Sequence, residues 1–96
     1  MLVLVTYDVS TETSAGKKRL AQVAKACKDF GKRAQKSVFE CEVDPAQWCV
    51  LKSRLLKIIN PKTDSLRFYY LGSKWERKIE HCGTHEPPDM HSLLIV

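Results

Sequence analysis

Residues 1–10, Met1-Leu2-Val3-Leu4-Val5-Thr6-Tyr7-Asp8-Val9-Ser10, decide how the rest of the chain is read. A strand with one wet face alternates apolar and polar residues. Five apolar residues in a row instead predict a core strand covered on both faces. The run stops at Tyr7-Asp8, which places a phenol and a carboxylate where such a strand delivers its last residues to a surface. In βα architectures that carboxyl end is where ligands sit. One loop later, Lys17-Lys18-Arg19 falls at the start of a predicted helix. An acid able to hold a metal and a basic cluster able to hold phosphates thus lie one loop apart.

Working outward, Thr13 or Ser14 can cap a helix that runs to about Phe30. Leu20, Val23, Ala24, Cys27 and Phe30 form its apolar stripe, and Gly31 is placed as a left-handed stop. Residues 33–43 change period: Phe39, Cys41 and Val43 alternate with Glu40 and Glu42, one face buried and one wet. A bend or break is expected near Lys36-Ser37. Asp44-Pro45-Ala46-Gln47 combines an N-cap acid, proline at the first helical position and glutamine at N3, so a second helix begins there. Its stripe is Trp48, Leu51, Leu55, Ile58 and Ile59, and Asn60-Pro61 ends it. Asp64 to Leu71 reads as a strand, and Gly72-Ser73 turns the chain into a weaker one from Trp75 to Cys82. A segment with two prolines then leads to the apolar run Ser92-Leu93-Leu94-Ile95-Val96.

The order β-α-β-α-β-β puts both helices on one face of a single sheet. If residues 33–43 supply two pairing segments, the result is an α+β, ferredoxin-like sandwich with an antiparallel-dominated sheet and an extra C-terminal strand. Residues 1–83 form the domain, 84–91 a linker, and 92–96 a strand expected to pair across a dimer, the alternative being that it completes its own sheet. The second sheet face, half-apolar, needs a cover, and a face-to-face homodimer supplies one.

With 96 residues, one modest core is the limit. No apolar run approaches the ~20 residues that span a bilayer, and the N-terminus has no secretory pattern; a cytoplasmic, prokaryotic protein without membrane attachment is expected. The single cysteines 27, 41, 49 and 82 fit reduced, core-filling thiols. The net charge of +5 is concentrated: residues 1–36 hold eight Lys/Arg against Asp8, Glu12 and Asp29, whereas residues 37–96 balance. Such a local field points to a polyanion such as a phosphate backbone, or else to a solvated lysine-rich helix.

A lone Asp8 is too little for most metal chemistry, but a symmetric dimer makes two across its axis, able to hold Mg²⁺ against a scissile phosphate. The plainer alternative is an Asx turn after the strand. Three cations at a helix N-terminus oppose the macrodipole, at about 0.3–1 kcal/mol each, which hints at an anion site. Tyr7, Ser10 and Arg33 could support phosphate positioning. Phe68, Tyr69 and Tyr70 fit core packing better than base stacking, since the accompanying RNA-binding pattern is missing. His81, Cys82, His85 and His91 are metal-ligand types at spacings that match no established zinc finger.

Val5-Thr6-Tyr7-Asp8-Val9, Lys17-Lys18-Arg19-Leu20, and Arg33-Ala34-Gln35-Lys36-Ser37-Val38-Phe39-Glu40-Cys41 closely resemble the small CRISPR-associated "Cas-two" family. The resemblance implies a ferredoxin-like homodimer with Asp8 of both protomers at the twofold axis. It implies Mg²⁺, one shared or one per protomer, and endonuclease action on double-stranded DNA or single-stranded RNA. It also implies a larger CRISPR integrase as partner during spacer acquisition. The family's aspartate carries onto Asp8, its aromatic neighbour onto Tyr7, its basic residues onto Lys17, Lys18, Arg19 and Arg33, and its strand aromatic onto Phe39. Lysine at 17 and 18, where members often have arginine, keeps charge but loses bidentate phosphate geometry. The alternative function is a non-catalytic dimeric scaffold that holds DNA for the integrase.

Overall fold

The first strand, β1 (Leu2–Asp8), buries Val3, Val5 and Tyr7 and leaves Leu2, Leu4 and Thr6 half-buried between them. The apolar run is therefore covered fully on one face and only partly on the other. In the computed structural model, which describes residues 1–71 and 77–83, β1 is followed by α1 (Ser14–Phe30), β2 (Lys32–Gln35) and β3 (Val38–Glu42). Then come α2 (Pro45–Ile58), β4 (Ser65–Leu71) and β5 (Arg77–Gly83). The expected C-terminal strand and the linker before it lie outside the described residues.

The strands form one sheet in the order β2-β3-β1-β4-β5, with every neighbouring pair antiparallel. Both helices lie over one face, and the α+β, ferredoxin-like sandwich expected from the sequence is the architecture. Val3, Val5 and Tyr7 meet Phe39 and Cys41 of β3, Leu66 and Phe68 of β4, and the buried residues of both helices in one core. Trp48 of α2 packs edge-on against Phe68, ring centroids 4.9 Å apart. The segment 33–43 does divide into two strands, because the turn at Lys36-Ser37 folds β2 back on β3.

The helix starts obey the capping chemistry. Thr13 caps α1 by accepting from the Gly16 N–H. Asp44 and Gln47 form a reciprocal capping box on α2, with Pro45 at its first position. On α1 the buried residues beyond Gly16 are Val23, Ala26 and Cys27, while Ala24 is half-buried, so the stripe is rotated slightly from the one read in the sequence.

Gly31 corrects one expectation. Its φ of −160° is extended, not left-handed. Glycine is needed for space: a Cβ there would stand 2.3 Å from the Glu40 carbonyl oxygen and 2.6 Å from the Cys41 Sγ. The chain leaves α1 hard against β3, and a side chain would hold the two apart. Cys27 and Cys41 are free and buried, and burial pushes their thiols up to about 12 and about 11. Both are core-filling and unreactive.

Candidate nucleic-acid and metal site

β1 occupies the middle of the sheet, so its last residues are held by neighbours on both sides. Asp8 is paired with Ser65 of β4, and the Tyr7 N–H donates to the Ser37 carbonyl at 3.2 Å. Side-chain alternation then separates the two site residues. Tyr7 enters the helix-covered core, where its ring stacks on Phe39 at 6.1 Å between centroids. Asp8 belongs to the opposite face, with Leu2, Leu4 and Thr6, and is exposed. Among the described residues no cation pairs with it.

Tyr7 is only 6% exposed. Burial and the nearby Cys27 raise its phenol above the usual tyrosine range, and Arg33 opposes that shift. The Arg33 guanidinium stands over the outer face of Phe39, 5.1 Å from the ring centroid. Phe39, fully buried, is thus a spacer between an exposed cation and the base of the Asp8 strand. Its contribution to a site is support by packing.

The loop after β1 turns back into α1 at close quarters. A Cβ on Gly16 would fall 2.0 Å from the Ser10 carbonyl oxygen, so only glycine lets the first turn of α1 lie against the loop backbone. That contact brings the basic turn beside the Asp8 end of β1. Lys17 and Lys18 are exposed and, among the described residues, carry no ion pair. Lys32, Arg33 and Lys36 of the β2–β3 hairpin are exposed as well.

Arg19 is different. Its Nε donates to Asp64 Oδ2 at 2.8 Å, and its Nη2 reaches Asp64 Oδ1 at 3.4 Å and Thr63 Oγ1 at 3.3 Å. Asp64 is completely buried. It also accepts from the Ser10 N–H at 3.1 Å, the Asn60 N–H at 2.9 Å and the Thr63 hydroxyl at 3.0 Å. Burial by itself would raise the Asp64 carboxyl; the bonds from Arg19, Asn60, Ser10 and Thr63 outweigh it and hold the group below the usual carboxylate range. The basic cluster is therefore split into two solvent-facing lysines and one arginine built into the fold. Ser10, expected to touch phosphate, has its backbone N–H on Asp64.

The sequence reading passed over Asp64. Its signal was indirect: the cluster ends in arginine after two lysines, and a planar guanidinium is the cation suited to a buried carboxylate. Arg67 was also passed over. It is buried on the Asp8 face of β4, its Nη1 donates to the Tyr69 hydroxyl at 3.3 Å, and its Nε has no partner among the described residues.

No three His, Cys, Asp or Glu side chains converge among the described residues. Among the described residues, the end of β1 thus offers a hard cation one exposed carboxylate, Asp8. That is compatible with Mg²⁺, which commonly takes one or two carboxylates and fills its remaining positions with water and substrate phosphate oxygens. The described residues of one chain supply no complete cage.

Residues 1–79 match the family described as CRISPR associated protein Cas2. The chain belongs to this family. It is 59% identical over 96 residues to the CRISPR-associated endoribonuclease Cas2 of Chlorobaculum tepidum, covering all of both chains. It is 50% identical over 95 residues to the CRISPR-associated endonuclease Cas2 of Halalkalibacterium halodurans, covering 99% of each. Among solved structures it is similar to Streptococcus pyogenes Cas2, at a TM-score of 0.71 and 63% identity over 78% of this chain and 90% of that one. A further Cas2 crystal structure superposes at a TM-score of 0.64 with 31% identity, over 94% and 95% of the two chains. The Cas2 relatives carry both names, endoribonuclease and endonuclease. No helix among the described residues is long and apolar enough to cross a membrane.

Proposed function

We propose that this chain is a metal-dependent endonuclease of CRISPR spacer acquisition, acting as a homodimer on nucleic-acid phosphodiester bonds in the cytoplasm of a prokaryote. The observation that carries this reading is the placement of Asp8. It is an exposed carboxylate at the end of the central strand, within one tightly packed loop of two exposed lysines, and none of the three has an ion pair among the described residues. The relatives' names, endoribonuclease and endonuclease, supply the reaction class.

A homodimer follows from two needs that one chain does not meet. Leu2, Leu4 and Val38 leave half-covered apolar surface on the sheet face that also carries Asp8. A second copy over that face would bury it and add a second Asp8, because a twofold contact repeats each residue across its axis. Asp8 of the two copies would hold Mg²⁺, one shared or one each. When bound, Mg²⁺ would supply neutralisation of phosphate charge and a more acidic water. Lys17, Lys18 and Arg33 would hold the strand through its phosphates. Water then adds to phosphorus as one P–O ester bond breaks, leaving a phosphate monoester and a free hydroxyl. Larger assemblies with the CRISPR integrase would use surfaces away from this face.

A second reading has one observation in its favour: among the described residues no group of three metal-ligand side chains forms around Asp8. In it the dimer holds duplex DNA by the same lysines and leaves chemistry to the integrase. The deciding experiment is cleavage of labelled duplex DNA and single-stranded RNA, with Mg²⁺ or EDTA, by wild type and Asp8→Asn, with binding measured on the same samples. Mg²⁺-dependent cutting that Asp8→Asn abolishes at unchanged affinity supports the nuclease. Binding without cutting by both proteins supports the scaffold.

A further inference from the structure

Asp64 has no place in the reading above, yet it sits at the junction of everything that reading uses. Its carboxylate is fully buried and collects hydrogen bonds from four residues in three segments. Ser10 lies two residues beyond Asp8. Arg19 directly follows Lys17-Lys18. Asn60 and Thr63 form the α2–β4 turn, and Ser65, next to Asp64 in the chain, is the strand partner of Asp8. A single buried carboxylate thus touches the arm that carries the acid, the arm that carries the cations, and the strand that flanks the acid.

The energetic sense of the arrangement is specific. A buried anion is stable only when its lone pairs are satisfied and its charge is matched. Each bond to Asp64 is therefore held in place by the cost of leaving the others unmade, and the loop and helix turn are fixed relative to each other as one unit. The Gly16 contact with the Ser10 carbonyl closes the same junction from the other side. A shift of about 1 Å in a positioned group far from the chemistry can cost a hundredfold in rate.

We infer that Asp64, through Arg19 and the Ser10 N–H, is the positioning residue of the site: it sets the distance between the Asp8 carboxylate and the Lys17-Lys18 turn. This rests on the nuclease reading for its effect on rate, and Arg19 acts in it through Asp64 and not as a phosphate contact. The consequence is that Arg19 and Asp64 form one functional unit, separable from Lys17 and Lys18.

The test compares wild type, Asp64→Asn, Arg19→Gln, the Asp64→Asn/Arg19→Gln double variant and Asp8→Asn, each checked for its far-UV spectrum and thermal unfolding. Asparagine preserves an acceptor for Ser10 and removes the charge. Three readouts are taken: amide exchange at Ser10, Mn²⁺ affinity of the free protein, and cleavage of a nucleic acid at saturating concentration. The expected result is faster Ser10 exchange, Mn²⁺ binding weakened at least threefold, and cleavage slowed tenfold or more in either single variant. Nucleic-acid affinity and its salt dependence should stay within twofold of wild type. The double variant should be no slower than the worse single one, as for residues that act as a unit.

Folded Asp64→Asn with wild-type Mn²⁺ affinity and wild-type cleavage would overturn the inference while leaving the nuclease intact. So would Arg19→Gln losing affinity with a shallower salt dependence while Asp64→Asn did not, since Arg19 would then be a phosphate contact. If wild type cuts nothing but Asp64→Asn weakens Mn²⁺ binding that Asp8→Asn abolishes, the nuclease reading fails and the positioning role stands.

Discussion

The rings of Tyr7 and Phe39 lie stacked, 6.1 Å apart and 22° from parallel, on the covered face of the sheet, while Asp8, the very next residue, belongs to the other face. One peptide unit separates core from site. The aromatic pair fixes where β1 ends, and Arg33 closes over Phe39 at 5.1 Å. Tyr7 therefore supports Asp8 through packing, and its hydroxyl is not a free group beside a substrate.

This arrangement has a titration signature. The Tyr7 phenol is raised above its ordinary value because burial disfavours the phenolate. A raised folded-state value means that its contribution to stability is complete below the unfolded value of about 10. The contribution is lost as pH rises through the higher, folded value. Absorbance at 295 nm should show a late-ionising tyrosine component, coincident with alkaline unfolding, and Tyr7→Phe should reduce that component. Phe39→Ala, which empties a fully buried aromatic site, should cost about 3–5 kcal/mol in denaturant unfolding.

At the acid end Asp64 governs. Its folded value is lowered by the bonds from Arg19, Asn60, Ser10 and Thr63 against the effect of burial. The stability it contributes is present above the unfolded carboxylate value of about 3.9 and lost as pH falls through the lower, folded one. Asp64→Ala leaves Arg19 without its partner, and breaking a buried pair in this way costs about 3 kcal/mol at neutral pH. The gap to wild type should narrow at acidic pH, as the folded carboxyl begins to take up its proton. Equal losses at both pH values, measured by urea unfolding, would show that the charge is not what matters.

Much of this fold could be read from residue order. Asp44-Pro45-Ala46-Gln47 fixes the start of α2 because cap, proline and N3 glutamine all act locally. Thr13 is the cap of α1 for the same reason. Asp8 and Lys17-Lys18 were legible as a pair because both are placed by the same strand–loop–helix unit. Asp64 was not, since its partners Ser10 and Arg19 are 54 and 45 residues away in the chain. Nor does sequence distinguish a glycine chosen for its φ from one chosen for close approach, which is why Gly31 was assigned the wrong reason.

That second reason has its own test. Gly31 is extended, so alanine there meets no backbone strain, only the Glu40 carbonyl and Cys41. Gly31→Ala should therefore destabilise by about 1–3 kcal/mol through overpacking. Pairing Gly31→Ala with Cys41→Ala should restore part of the loss in a double-mutant cycle, because the thiol is one of the two obstacles. Stabilisation by Gly31→Ala alone, as expected when a flexible glycine merely stiffens, would contradict the packing account.

The two exposed lysines make the last prediction quantitative. Neither Lys17 nor Lys18 has an ion pair among the described residues, so each can replace a condensed counterion on a phosphate backbone. Binding to duplex DNA should weaken as salt rises, with each lost phosphate contact lowering the slope of log K against log salt by about 0.9. Lys17→Ala/Lys18→Ala should reduce that slope by about 1.8 for each protomer in contact with the duplex and weaken binding alike for unrelated sequences, since phosphate contacts carry no base information. Neither alanine touches the core, so the melting temperature should hold, or rise slightly as repulsion at the helix N-terminus is relieved. A slope that does not change would place the phosphate track elsewhere, with Lys32, Arg33 and Lys36 of the β2–β3 hairpin the next residues to replace.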